Sequence, residues 1–222
     1  MIRHVIFDLD GTLLYTLDSI LYPLNATLAS EGLKEITIDQ CRDFIGDGAR
    51  LLVRRAVGES GDVDNETIER VLREYNAAYN SDPLPYTYPY DGITSLVDGL
   101  VDAGITVGVV TNKPEPTAIQ LVRHFFGDKV AFVRGGRSGA VLKPDPTDTL
   151  DALTSHGGVP SECAFVGDTA VDVRTARNMR AALCIGVLWG FRTREELERE
   201  SPDIFVEEAH EILGAILGYE EN

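Results

Sequence analysis

Two aspartates end the first apolar run of the chain, Val5-Ile6-Phe7-Asp8-Leu9-Asp10, and Gly11-Thr12 follow at once. Carboxylates spaced this way can hold a divalent cation, attack an electrophilic centre or carry a proton. Three later segments bring polar groups of matching kinds: Thr111-Asn112-Lys113, Lys143-Pro144, and Gly167-Asp168-Thr169 with Asp172 beyond it. Asp168 and Asp172 are spaced i, i+4, which sets them on one side of a helix's first turn. Each has a plain reading when taken singly. Aspartate after a strand, and the Asp10-Gly11 pair, make turns. Thr111-Asn112 opens a helix. Lys143 is a solvated charge, and Asp168 caps a helix whose dipole favours Asp172. Their joint occurrence, in this order and at strand ends, argues for chemistry instead. Two carboxylates ~4 Å apart repel by about 4 kcal/mol at an effective dielectric of roughly 20. A divalent cation removes that repulsion, and an all-oxygen donor set suits Mg²⁺.

Such residues meet only if the chain between them folds back correctly. Val5-Ile6-Phe7 reads as a buried strand of a parallel sheet. Helical patterns then follow one another: 18–33, with Ile20, Leu21, Leu24 and Leu28 on one stripe; 39–45; 49–57; and 65–79, with Ile68, Val71, Leu72 and Tyr75 on one face. Pro83, Pro85 and Pro89 break the chain. Beyond them strands at 105–110, 130–133, 163–166, 182–187 and 204–206 alternate with helices. The pattern predicts an α/β fold: a doubly wound, Rossmann-like parallel sheet core of residues 1–14 and 85–222, with an α-helical cap, residues 15–84, inserted after the first strand. In such sheets ligands lie beyond the carboxyl ends of the strands, where every segment named above falls.

The ordered set Asp-x-Asp-Gly-Thr, Thr-Asn, Lys-Pro and Gly-Asp-x-x-x-Asp resembles the haloacid dehalogenase superfamily, and the likeness spans nearly the whole chain. The helical insert makes it most similar to the phosphoglycolate phosphatase-like branch. The resemblance implies a Mg²⁺-dependent phosphatase acting on a small phosphorylated metabolite, with 2-phosphoglycolate the leading substrate. It implies Asp8, the Asp10 carbonyl and Asp168 as metal ligands, with Asp172 as a further ligand or the holder of a metal-bound water. Asp8 is then the nucleophile and Asp10 the acid that becomes the base. Thr111 and the Asn112 backbone hold phosphoryl oxygens, and Lys143 neutralises the transferring group. Gly11 turns the chain sharply and leaves room for the ester. The stretch around Gly46 makes a helix–helix turn on its own terms; the resemblance has it face the site and lets Arg50 meet a substrate carboxylate. Asp10 argues against halide-releasing and phosphonate-cleaving relatives, which lack the second acid. A sugar-phosphate mutase, a pyrophosphatase, a nucleotidase and a non-catalytic phosphate-binding regulator stay open.

Net charge is −16, from 20 basic and 36 acidic residues, which disfavours a nucleic acid or an anionic membrane as partner. It does not disfavour a small phosphate ester, since one metal ion and one lysine reverse the field inside a pocket. Only four of the basic residues are lysines, and two of them, Lys113 and Lys143, fall in the loops named above. Lys113 is expected in solvent. The three cysteines form no metal or disulfide pattern. The chain starts on a strand without a leader-like segment, so a cytoplasmic monomer or homodimer is expected. Trp189-Gly190-Phe191 reads as packing at the sheet's end, and Tyr86, Tyr88 and Tyr90 as packing beneath a hinge.

Overall fold

The computed structural model describes residues Met1–Tyr219, so residues 220–222 of the expected core lie outside it. Its main sheet is built from β1 (His4–Phe7), β4 (Thr106–Pro114), β5 (Phe132–Gly136), β6 (Cys163–Gly167), β7 (Leu183–Val187) and β8 (Ile204–Val206). The order is β5-β4-β1-β6-β7-β8, and every neighbouring pair is parallel. Counting only these strands, the order is 3-2-1-4-5-6, the doubly wound arrangement.

Strands with apolar side chains on both faces need cover on both, and the helices supply it. Val5 and Phe7 of β1, with Ala164 and Val166 of β6, pack against α5 (Ile93–Asp102), α6 (Glu115–Phe126) and α10 (Ala209–Leu217). Ile6, Cys163 and Phe165 point the other way, into a cluster with α7 (Thr147–Ser155) and α8 (Ala170–Met179). The cysteines Cys41, Cys163 and Cys184 are all buried and free, which suits small apolar residues.

Between β1 and β4 the chain builds a helical unit: α1 (Leu17–Ser30), α2 (Ile38–Phe44), α3 (Ala49–Gly58) and α4 (Asn65–Ser81). Leu24, Leu28, Cys41, Val53, Ala56 and Val71 give it a core of its own. Its helices start on side-chain caps where the sequence offers them: Thr37 accepts from the Gln40 N–H, and Asp64 from the Thr67 N–H. The unit is closed at its base by a ladder the hydrophobic pattern does not announce. β2 (Leu14–Tyr15) pairs antiparallel with β3 (Tyr88–Pro89), and the Tyr15 and Tyr88 rings stack at 4.9 Å. A last short helix, α9 (Arg194–Glu198), follows β7. Among the described residues no helix is long and apolar enough to cross a membrane.

Register brings the strand ends level. Phe7 lies beside Val109 on one side and Val166 on the other, so the residues that follow emerge at one rim. β4 runs past its expected end at Val110. From Val110 to Pro114 it advances four residues while β5 advances two, Arg134 to Gly136. Such a bulge bends the strand and re-aims its side chains. It carries Thr111, Asn112 and Lys113 to the rim.

Candidate active site

The rim at the switch point of the sheet gathers the acidic residues from two separate segments, after β1 and after β6. Asp8 follows β1 directly, and its N–H donates to the Val166 carbonyl at 2.9 Å. Asp168 follows β6. Asp172 stands in the first turn of α8, where the Thr169 N–H (3.0 Å) and hydroxyl (2.6 Å) both donate to its Oδ2. One oxygen from each of Asp8, Asp168 and Asp172 lies within 4.8 Å of the others. All three side chains are buried, Asp168 completely.

Lys143 holds two of them together. Its Nζ donates to Asp8 Oδ1 at 2.8 Å and to Asp172 Oδ1 at 2.7 Å. Burial opposes the charge on Lys143, yet Asp172 and Asp8 keep its pKa above the ordinary lysine value. Asp8 is pushed up to about 6, first by burial and then by Asp172, against the pull of Lys143. Asp168, buried and facing Asp172 and Asp8, is pushed up to about 8. Three clustered carboxyls with one lysine, bonded to two of them, are electrostatically undercompensated, which is the state a divalent cation corrects.

Asp168 is fixed from behind by groups whose role the sequence conceals. Its Oδ1 accepts from the Thr12 hydroxyl and its Oδ2 from the Phe191 N–H, both at 2.8 Å. A Cβ on Gly190 would run into the Asp168 side chain. Trp189 donates its indole N–H to the Thr12 carbonyl at 3.0 Å. The segment 189–191 therefore does more than pack. The Phe191 ring lies in the core of the helical unit, and Arg192 donates to the carbonyls of Arg42 (2.7 Å), Asp43 (3.3 Å) and Ile45 (2.8 Å).

Asn112 ties the rim to the same unit. Its side-chain N–H₂ donates to the Gly46 carbonyl at 2.9 Å and the Lys143 carbonyl at 3.0 Å, and its Oδ1 accepts from the Lys143 N–H at 2.8 Å. The Asn112 side chain thus holds the Lys143 loop in place. Thr111 and Asn112 line the cavity above Asp8, and so do Gly46, Gly48 and Ala49. Ile20, Ile45, Leu52, Tyr75 and Tyr79 form its far wall. Its free volume for the centre of a water-sized molecule is about 50 Å³.

Three expectations are corrected here. Lys113 is not solvated: its side chain is 2% exposed and its Nζ meets Asp10 Oδ1 at 2.8 Å and Oδ2 at 3.1 Å. Arg50 does not face the cavity. It lies one residue off the buried stripe of α3, two-thirds exposed, and pairs with Glu69. Gly11 does not leave room for an ester. At φ +86 it makes the turn, but the space a Cβ would fill belongs to the Asp168 carboxyl and the Phe191 ring.

The arrangement sets an ionisable carboxylate, Asp8, against a fixed ammonium. A second carboxylate, Asp10, stands two residues on, and a cluster of oxygens able to bind a metal lies behind them. That constellation suits transfer of a phosphoryl group to Asp8. The family model for haloacid dehalogenase-like hydrolases matches residues 5–185. A phosphoglycolate phosphatase of Xylella fastidiosa is 34% identical over 211 residues, 94% of this chain and 90% of that protein. One of Rhodospirillum rubrum is 37% identical over 183 residues, 80% of this chain and 76% of that protein. The crystal structure of a candidate phosphoglycolate phosphatase from Lactobacillus delbrueckii subsp. bulgaricus superposes with a TM-score of 0.91 at 29% identity, over 98% of this chain and 99% of that one. The chain belongs to the haloacid dehalogenase-like hydrolase family, is similar throughout to its phosphoglycolate phosphatases, and is a phosphoric monoester hydrolase.

Proposed function

We propose that this phosphatase hydrolyses a small phosphomonoester, with 2-phosphoglycolate the leading substrate, through an aspartyl-phosphate on Asp8 and with Mg²⁺ as its metal. The observation that carries the reading is Asp8 itself: a buried carboxylate at a strand end, oriented by Lys143, with Asp10 within the same turn. Size supports a small ester. The space open to the centre of a water-sized molecule above Asp8 is only about 50 Å³, which favours a compact ester over a nucleotide.

Asp8 attacks phosphorus as the bond to the leaving oxygen breaks, and Asp10 delivers a proton to that oxygen. Water then attacks the phosphorus of the aspartyl-phosphate, Asp10 takes the proton back, and phosphate leaves with Asp8 restored. Lys143, anchored by Asp172, holds Asp8 in line and offsets the charge that gathers on the transferring group. Thr111 and the Asn112 backbone bind its oxygens. A Mg²⁺ ion would be held by Asp8, Asp168, the Asp10 carbonyl and Asp172, directly or through water; the mutual 4.8 Å reach of the three carboxylates and their all-oxygen chemistry fit it. Bound there, it supplies Lewis-acid charge neutralisation. The helical unit of α1–α4 serves as a cap whose apolar wall excludes water while the first transfer proceeds.

The test is a panel of phosphate esters assayed with Mg²⁺ and with chelator. Phosphoglycolate should rank first by kcat/KM, activity should vanish on chelation, and Asp8→Asn should lose about 10⁴-fold or more while keeping its circular dichroism. Residual turnover above one part in about a hundred removes Asp8 as nucleophile. Bisphosphate-dependent isomerisation outrunning hydrolysis replaces the phosphatase reading by a mutase.

A further inference from the structure

We infer that Lys113 reads a carboxylate on the leaving group, which makes the preferred substrates phosphate esters of small hydroxy acids; this deepens, and rests on, the phosphatase reading of the same cavity. Among the described residues that line the cavity, only Lys113 and Lys143 carry positive side chains. They are not equivalent. Lys143 is shared by Asp8 and Asp172, on the side where the phosphoryl group must sit. Lys113 has one carboxylate partner, Asp10, the residue that must reach the leaving oxygen. A cation beside that acid is therefore a cation beside the leaving group.

The rest of the wall points the same way. The helical unit offers the cavity Ile20, Ile45, Leu52, Tyr75 and Tyr79, with the glycine backbone at 46 and 48, and no charged side chain. Arg50 is turned to solvent. With Lys143 taken by Asp8 and Asp172, an anionic leaving group enclosed here has Lys113 as its cationic partner among the described lining residues, and an enclosed carboxylate without a partner is strongly disfavoured. The Lys113 Nζ is met by the two Asp10 oxygens and lies 4.6 Å from the centroid of the Tyr79 ring, which also lines the cavity. A lysine this deeply buried is a poor stabilising device, since an ion pair recovers little beyond the desolvation of its members. Ligand recognition gives its position a reason.

The test compares 2-phosphoglycolate with 2-hydroxyethyl phosphate, which keeps the same length and replaces the carboxylate by a neutral alcohol. Wild type should prefer phosphoglycolate in kcat/KM. Lys113→Met should shrink that preference about tenfold or more, chiefly through KM, and Lys113→Arg should retain most of it. In the Asp8→Asn background calorimetry reads the same ratio as Kd without turnover, and Lys113→Gln replaces the methionine variant if the latter fails to fold. Equal losses for both esters overturn the inference and leave Lys113 serving Asp10 alone. A wild-type ratio near one overturns it without any variant. Wild type turning over other phosphate esters but neither of these two removes the phosphoglycolate reading itself, a result distinct from a preference that survives loss of Lys113.

Discussion

Lowering the pH from 7 to 5 should weaken Mg²⁺ binding about a thousandfold, because cation and protons compete for the same oxygens. Burial and the neighbouring carboxylates push Asp8 up to about 6 and Asp168 up to about 8. At pH 7 roughly one proton, that of Asp168, must leave before the cation binds; at pH 5 both must. The ionised fraction then falls about tenfold at Asp8 and about a hundredfold at Asp168. The sign for stability follows from the same shifts. Both carboxyls bind their proton more tightly folded than unfolded, so they favour the folded state below the ordinary value of 3.8. That contribution is lost as pH climbs through about 6 and about 8. Added Mg²⁺ should therefore raise the melting temperature most at pH 8 and little at pH 5. Calorimetric titration at several pH values, in two buffers of different ionisation heat, measures affinity and released protons together. An affinity that moves less than tenfold, or binding at pH 5 that frees no proton, would refute the reasoning.

Gly190→Ala should push Asp168 aside and weaken Mg²⁺ binding about ten- to a hundredfold with circular dichroism unchanged, read by the same titration; full affinity in a folded variant defeats it. Arg192→Ala should free the carbonyls at the end of α2 and speed amide exchange across residues 44–49 about tenfold, followed by mass spectrometry. Arg50→Ala should leave kcat/KM within about twofold, since the exposed pair with Glu69 contributes little and touches no substrate; a larger loss in steady-state assays returns Arg50 to the site.

What could be read in advance was what is written locally. Val5-Ile6-Phe7, the helical stripes and the strand–helix alternation each state their own geometry within a few residues, and the doubly wound sheet follows from them. The acidic motifs were legible for the same reason: each closes a strand. Lys113 was not, because its partner Asp10 lies 103 residues away and an isolated lysine looks like any surface charge. The outward turn of Arg50 was not legible from phase, since at 3.6 residues per turn position 50 falls on the edge of the stripe Leu52, Val53, Ala56 and Val57, i−3 from Val53; its partner Glu69 lies on another helix. Phe191 supports Asp168 through a backbone N–H, which any residue but proline could provide, so its side chain gives no hint of it. The bulge in β4 and the two-residue strands β2 and β3 are too short to leave a periodicity.

The small ladder of β2 and β3 has a consequence for how such an enzyme can change. Leu14-Tyr15 and Tyr88-Pro89 stand side by side, so the chain leaves the sheet and comes back through a single doorway. Whatever is spliced between those two posts alters neither strand order nor register, and Asp8 and Asp10 have already been laid down before the door opens. The roof over the reaction can be exchanged while the hearth stays lit.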